Sequence, residues 1–135
     1  MEIEFPLEFI VAGTPVSLQA KRPASRDAWR QLARTASRAS LPDFFFASDK
    51  RLAVTIYYFP LERMRGDIDN IVKPILDALS HHIYMDDEQI ERLVVQKFES
   101  GNAFEFARPS TKLAEAIKGP TPVLFVRLSE PPFLE

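Results

Sequence analysis

The sequence predicts an α+β (mixed α/β) fold, one domain over residues 1–135, with a mixed β-sheet and two main helices packed on it. Three observations predict it. The stretch "RLAVTIYYFP" is β-branched and aromatic, as strands are. In "DNIVKPILDALSHH", Ile71, Ile75, Leu76 and Leu79 fall on one stripe of a helix. Strand-like and helix-like segments also interleave along the chain. With 135 residues, 46% of them hydrophobic, one domain with a real core is the simplest reading.

In chain order, "EFPLEFIVAG" alternates apolar and polar residues before a turn at Gly13-Thr14-Pro15, which predicts a strand over about 3–11. "VSLQAKRPAS" reads as a loop. Ser25 can cap a helix over about 26–40 with Trp29, Leu32, Ala33 and Ala36 toward the core. "LPDFFFASDK" is a connection. The strand "RLAVTIYYFP" is ended by Pro60. The second helix begins near Asn70, so that Pro74 lies close to its first turn, where the missing N–H costs little. "ERLVVQKFES" is a third strand and Gly101-Asn102 a turn. "AFEFARPS" is a strand or a loop. "TKLAEAIKG" is a short helix stopped by Gly119, and "TPVLFVRLSE" is the last strand. No repeat or low-complexity segment occurs.

The chain has no cysteine, which excludes disulfides and cysteine-zinc sites. Its apolar runs are short, which predicts no membrane partner. The acidic opening "MEIEF" is unlike a signal peptide, and a cytoplasmic location is expected. The net charge of −2 argues against nucleic acid, but its distribution argues the other way. Residues 21–38 hold Lys21, Arg22, Arg26, Arg30, Arg34 and Arg38 against Asp27 alone. Residues 86–91 hold Asp86, Asp87, Glu88 and Glu91 against no base. A spacing of four keeps Arg26, Arg30, Arg34 and Arg38 near one helix face. That face is either solvated or turned to DNA, and Lys21 and Arg22 just before it favour DNA.

Clustered carboxylates need a reason to be together. If residues 67–69 are extended, Asp67 and Asp69 point the same way. Asp69, Lys73 and Asp77 share a helix face at spacing four. A helix, a turn and a return can bring Asp86 and Asp87 beside Asp67 and Asp69. Carboxylates without thiol or imidazole suit hard cations, Mg²⁺ or Mn²⁺, and such sites do phosphoryl chemistry. A lysine beside them can stabilise negative charge developing on phosphate. The blander reading is that Asp69 caps a helix, Asp67 closes a turn, and Asp86-Asp87 form a solvated turn. The segment is no EF-hand loop, and His81 and His82 read as loop residues.

"GDIDNIVKPILDAL" followed by "YMDDEQI" resembles the RusA family of Holliday-junction resolvases, small endonucleases of bacteria and their phages. The residues that carry the resemblance are Asp67, Asp69, Asn70, Lys73, Asp77-Ala78-Leu79 and Asp86-Asp87, with Ile90 as the apolar residue that follows. The resemblance implies a homodimeric, Mg²⁺-dependent nuclease for branched DNA. It implies Asp67, Asp69 and Asp87 as catalytic metal ligands, Asp86 as an accessory one, and Lys73 as a catalytic lysine. Family members commonly have a Gly in the turn where this chain has "SHHIYM", and they tend to be basic. The other readings are a nuclease for flaps, forks or duplex, a DNA-binding module without cleavage, and a cation-stabilised structural domain.

Overall fold

The computed structural model describes residues 1–16 and 23–131. The β-branched run forms β2, Leu52–Phe59, and stops at Pro60, which has no N–H for a ladder. Two further strands flank the first helix and close the chain: β1, Leu7–Ala12, and β4, Val123–Ser129. With β3, Ile90–Lys97, they build a four-stranded sheet of order β1-β4-β2-β3. β4 pairs antiparallel with β1 and β2, whereas β3 pairs parallel with β2. A parallel neighbour cannot be reached by a hairpin. The crossover is α2, Asp69–Leu79. The other helices are α1, Pro23–Arg38, and α3, Thr111–Lys118. This is the α+β class that the sequence predicts.

Strand alternation sorts the side chains into two cores. Phe9 and Val11 of β1, Val54 and Ile56 of β2, and Leu124 and Val126 of β4 join Trp29 and Ala33 of α1 and Ile71, Ile75 and Leu79 of α2. The residues between them, Phe59 of β2 and Val123 and Phe125 of β4, join Leu113 and Ala116 of α3. Phe98 and Phe106 pack on that second core, and "AFEFARPS" is a loop rather than a strand.

Expectations for β1, α1 and α2 need correction. β1 starts at Leu7 rather than near Ile3, directly after Pro6, which cannot donate to a ladder. α1 starts at Pro23, so Ser25 lies inside it and does not cap it; proline suits the first helical position. The buried stripe of α1 is Trp29, Ala33 and Ser37, and Leu32 is exposed. α2 ends at Leu79, before Ser80 and the two histidines, and Pro74 lies past its first turn. The ring is buried, beside Trp29 of α1 around a small cavity, and that packing offsets the backbone bond it cannot make. Gly119 does end α3, but with φ −82° it is not left-handed. Its glycine is required by closeness, since a Cβ there would stand 2.8 Å from the Glu115 carbonyl oxygen.

Candidate active site

The acidic residues gather along α2 and the segment that returns from it. Asp69 is the first residue of α2, where the helix dipole favours an anion. It is not a cap: Ile68 holds that place and makes no side-chain cap bond. Ile68 is helical (φ −61°, ψ −32°), so residues 67–69 are not extended, and strand alternation does not align Asp67 with Asp69. Both carboxylates are exposed, with no hydrogen bond or ion pair among the described residues. Asp67 borders a cleft of about 520 Å³ with Arg63, Arg65, Tyr58 and Asn70.

Lys73 is the centre of the second group. Its Nζ stands 2.8 Å from Asp77 Oδ1, one turn on, and 2.7 Å from Asp87 Oδ2, across the crossover. Its hydrogen bonds to Asp77 and then to Asp87 raise its proton affinity well above the usual lysine value, so it is a fixed cation. Asp87 Oδ1 takes a hydrogen bond from the Tyr84 hydroxyl at 2.9 Å. That hydroxyl also lies 3.0 Å from Leu76 O, but Leu76 O already accepts the Ser80 N–H at 2.9 Å. The single hydroxyl proton therefore goes to the charged carboxylate. Burial first, and the Asp87 bond second, push the Tyr84 hydroxyl far above its ordinary pKa.

The turn carrying Asp87 is held by Gln89. Its Oε1 accepts the N–H groups of Met85 (2.8 Å) and Asp86 (2.9 Å). Its Nε2 donates to Ser48 O and Lys50 O, each at 2.8 Å. Asp86 caps the 3₁₀ turn Asp87–Gln89 in a reciprocal capping box with Gln89.

Arg30 and Arg34 border a cleft of about 310 Å³ with Lys73, Asp77, His81, Asp86 and Asp87. Of these arginines, Arg34 is tied down. Its Nε donates to Ala78 O (3.0 Å) and an Nη to Ser80 O (3.1 Å), which satisfies carbonyls at the end of α2. Arg26 and Arg38 are exposed, Arg30 is half-buried, and Lys21 and Arg22 lie outside the described residues. Next to this, Ser37 Oγ donates to Arg34 O at 2.7 Å and so must accept from His82 Nε2 at 2.8 Å. Burial, then Arg34 and Arg38, lower the His82 pKa to about 4, so the ring is neutral.

The structure thus brings Lys73, Asp77, Asp87 and Tyr84 together. It does not gather Asp67, Asp69, Asp86 and Asp87 into one cage: Asp87 meets α2 at its middle, not at the turn that carries Asp67 and Asp69. Among the described residues no three acidic, histidine or cysteine side chains stand as a metal cage. The donors do fit a hard divalent cation in kind, being carboxylate oxygens alone. A positive group is already held between two of them, the Lys73 ammonium. Sequence reasoning missed Tyr84 and Gln89; the Asp86-x-x-Gln89 spacing of a capping box was the signal for Gln89, and no spacing rule points to Tyr84. Tyr84 reaches Asp87 only because the loop curls back under α2, and Gln89 acts on a segment 39–41 residues earlier in the chain.

Among the described residues no helix is long and apolar enough to cross a membrane. A stretch of 36 residues is 56% identical to "Uncharacterized protein YqaN" of Bacillus subtilis (strain 168). It covers 27% of this chain and 25% of that relative, so the match spans a quarter of the relative's length. The family model for "Endodeoxyribonuclease RusA" matches residues 12–105, from the end of β1 through α1, β2, α2 and β3. That span is well over half of the chain and includes every residue of the Lys73 cluster, and on this ground the chain belongs to the RusA endodeoxyribonuclease family.

Proposed function

We propose that the protein is a Mg²⁺-dependent, structure-specific endodeoxyribonuclease, with Mn²⁺ able to substitute. It hydrolyses phosphodiesters at four-way DNA junctions in recombination and repair. It works as a homodimer of a single-domain chain in the cytoplasm of a bacterium, or from a phage. The observation that carries this reading is Lys73 held between Asp77 and Asp87 within the family-matched span. Asp67, Asp69 and Asp87, with Asp86 as an accessory, would hold the cation by closing on it, since they do not stand as one cage here. When bound, it supplies Lewis-acid polarisation of the phosphate and a water of lowered pKa. The chain itself does the rest. Lys73 offers a permanent positive charge to the phosphate oxygens. Tyr84 and Gln89 keep Asp87 from swinging away. Of the α1 row, Arg30 borders this cleft beside Arg34, and this supports a DNA-facing role for Arg26, Arg30 and Arg38, with Lys21 and Arg22 before them in the sequence. A two-fold dimer presents two sites, as paired cuts in a four-way junction require.

The test is cleavage of labelled four-way junction, flap and duplex DNA, each with Mg²⁺ and with EDTA, alongside sedimentation of the free protein. The expected result is paired symmetric nicks in the junction with Mg²⁺ only, from a dimer. Equal cutting of flap or duplex would move the substrate. Junction binding without any cutting, in Mg²⁺ or Mn²⁺, would leave a binding module.

A further inference from the structure

We propose that His81 is a substrate-contacting residue of this nuclease, its imidazole set against the DNA phosphate in the Lys73 cleft. The proposal rests on the nuclease reading above.

The backbone supplies the first observation. α2 stops at Leu79, Ser80 is extended, and the chain then reverses through a turn in which His81 N–H donates to Tyr84 O at 2.7 Å. The N–H groups of His82 and Ile83 both return to Leu79 O, at 3.2 and 2.9 Å. This closure puts His81 at φ +58°, in the left-handed region. Glycine occupies that region without strain, whereas a side chain there crowds the backbone. The turn would close as well, and with less strain, on a glycine. Histidine is among the side chains more often found there, so the strain is small, and a reason to prefer it to glycine lies in its side chain.

Packing is not that reason. His81 is exposed and makes no side-chain hydrogen bond, ion pair or ring contact among the described residues. His82, its neighbour, shows what a structural histidine looks like in this fold: it bonds Ser37 and meets the Phe45 ring edge-on at 5.4 Å. The left-handed turn sends the two rings to different places. The His82 ring meets Ser37 of α1, and His81 borders the cleft with Arg30, Lys73, Asp86 and Asp87.

The chemistry of that cleft names the ligand class. Three carboxylates border it, which by themselves repel a phosphodiester. Arg34 is spent on the carbonyls of α2 and Lys73 is shared between Asp77 and Asp87, which leaves Arg30, paired among the described residues only with exposed Asp27 at 3.9 Å, as the cleft's available cation. An exposed imidazole at the rim adds a ring N–H donor that no protein acceptor competes for among the described residues. A phosphate oxygen of the cut strand is the acceptor that fits it.

The experiment compares the parent, His81→Gly and His81→Asn in junction cleavage with Mg²⁺, with a thermal melt of each protein. His81→Gly removes the ring and relieves the turn. It should melt at or above the parent, while kcat/KM falls about tenfold, as for loss of a donor to the reacting phosphate. Asparagine tolerates the left-handed turn and keeps an N–H donor, so His81→Asn should recover part of that loss. Parent-like cleavage by His81→Gly would overturn the proposal while the nuclease reading stands. Lost cleavage together with a lowered melting temperature would also overturn it, because the ring would then be structural. If the parent itself cuts no DNA, this proposal and the nuclease reading fall together.

Discussion

Replacing Tyr84 by phenylalanine tests whether Asp87 is held in place by the fold. Tyr84 is fully buried, and the change removes one oxygen while leaving the ring in its packing. The bond lost is the 2.9 Å contact to Asp87 Oδ1. A hydrogen bond to a charged group contributes about 1.5–3 kcal/mol. Two features reduce that figure here. The Asp87 side chain is 30% exposed, so water can replace the hydroxyl, and Lys73 still holds the other oxygen. The net destabilisation should be about 1 kcal/mol, which for a chain of this length lowers Tm by about 3–4 °C. Junction cleavage should fall more steeply, about tenfold, because a carboxylate with one fixed partner samples orientations that do not serve the cut strand. Melting and single-turnover cleavage give the two numbers. A double-mutant cycle with Asp87→Asn isolates the pair: Tyr84→Phe should cost less when residue 87 is already neutral. Equal costs in both backgrounds, with cleavage unchanged, would refute the argument that Tyr84 acts through Asp87.

Arg30 and Arg34 should separate. Arg34→Ala strips two carbonyls at the end of α2 of a charged donor and should destabilise by about 2–3 kcal/mol in a urea melt. Arg30→Ala should stay within about 0.5 kcal/mol of the parent and flatten the slope of log affinity against log salt by about 0.9, measured on junction DNA in Ca²⁺. His82 has a pKa near 4 in the fold and about 6.5 when unfolded, so as pH falls the unfolded chain takes up the proton first. Its contribution, at most about 3 kcal/mol because the ring is only partly buried and solvent screens it, is therefore full above about pH 6.5 and lost between there and about pH 4. Urea midpoints across that window, in the parent and in His82→Phe, should show a slope that the variant lacks. Asp69→Asn should lose most cleavage yet bind junction DNA at least as well as the parent, read by gel shift, because a charge facing phosphate is gone.

Much of the fold was legible because its elements carry their own period. The run 52–59 is a strand by composition, and Ile71, Ile75 and Leu79 form a helix stripe that needs no knowledge of what it packs on. The same local logic places Lys73 between Asp69 and Asp77. What local logic misses depends on distant partners. Ser37 looks like a surface residue of α1, yet it is buried because Arg34 O and His82 satisfy its hydroxyl, the latter 45 residues away. Arg34 reads as one rung of a basic ladder, but its acceptors lie 44 and 46 residues on. The spacing between Asp69 and Asp87 likewise says that a return occurs, but not where on α2 it lands. That depends on how Tyr84, with no exposed surface, fits beneath the helix.

The strand order has a consequence for how the protein is made. β1 is synthesised early, but its partner in the sheet is β4, which also supplies the antiparallel neighbour of β2. Until residues 123–129 emerge from the ribosome, β1 has no strand beside it, and β2 and β3 form a parallel pair with an open edge. Such a pair depends on contacts distant in sequence and closes slowly. The helix that carries Lys73 packs on that unfinished core, since Ile71, Ile75 and Leu79 share it with Leu124, Val126 and Leu128. The core beneath the charged cleft is therefore complete only once the last strand inserts. For a chain with the nuclease activity proposed above, that activity would come only after the last strand has joined the sheet.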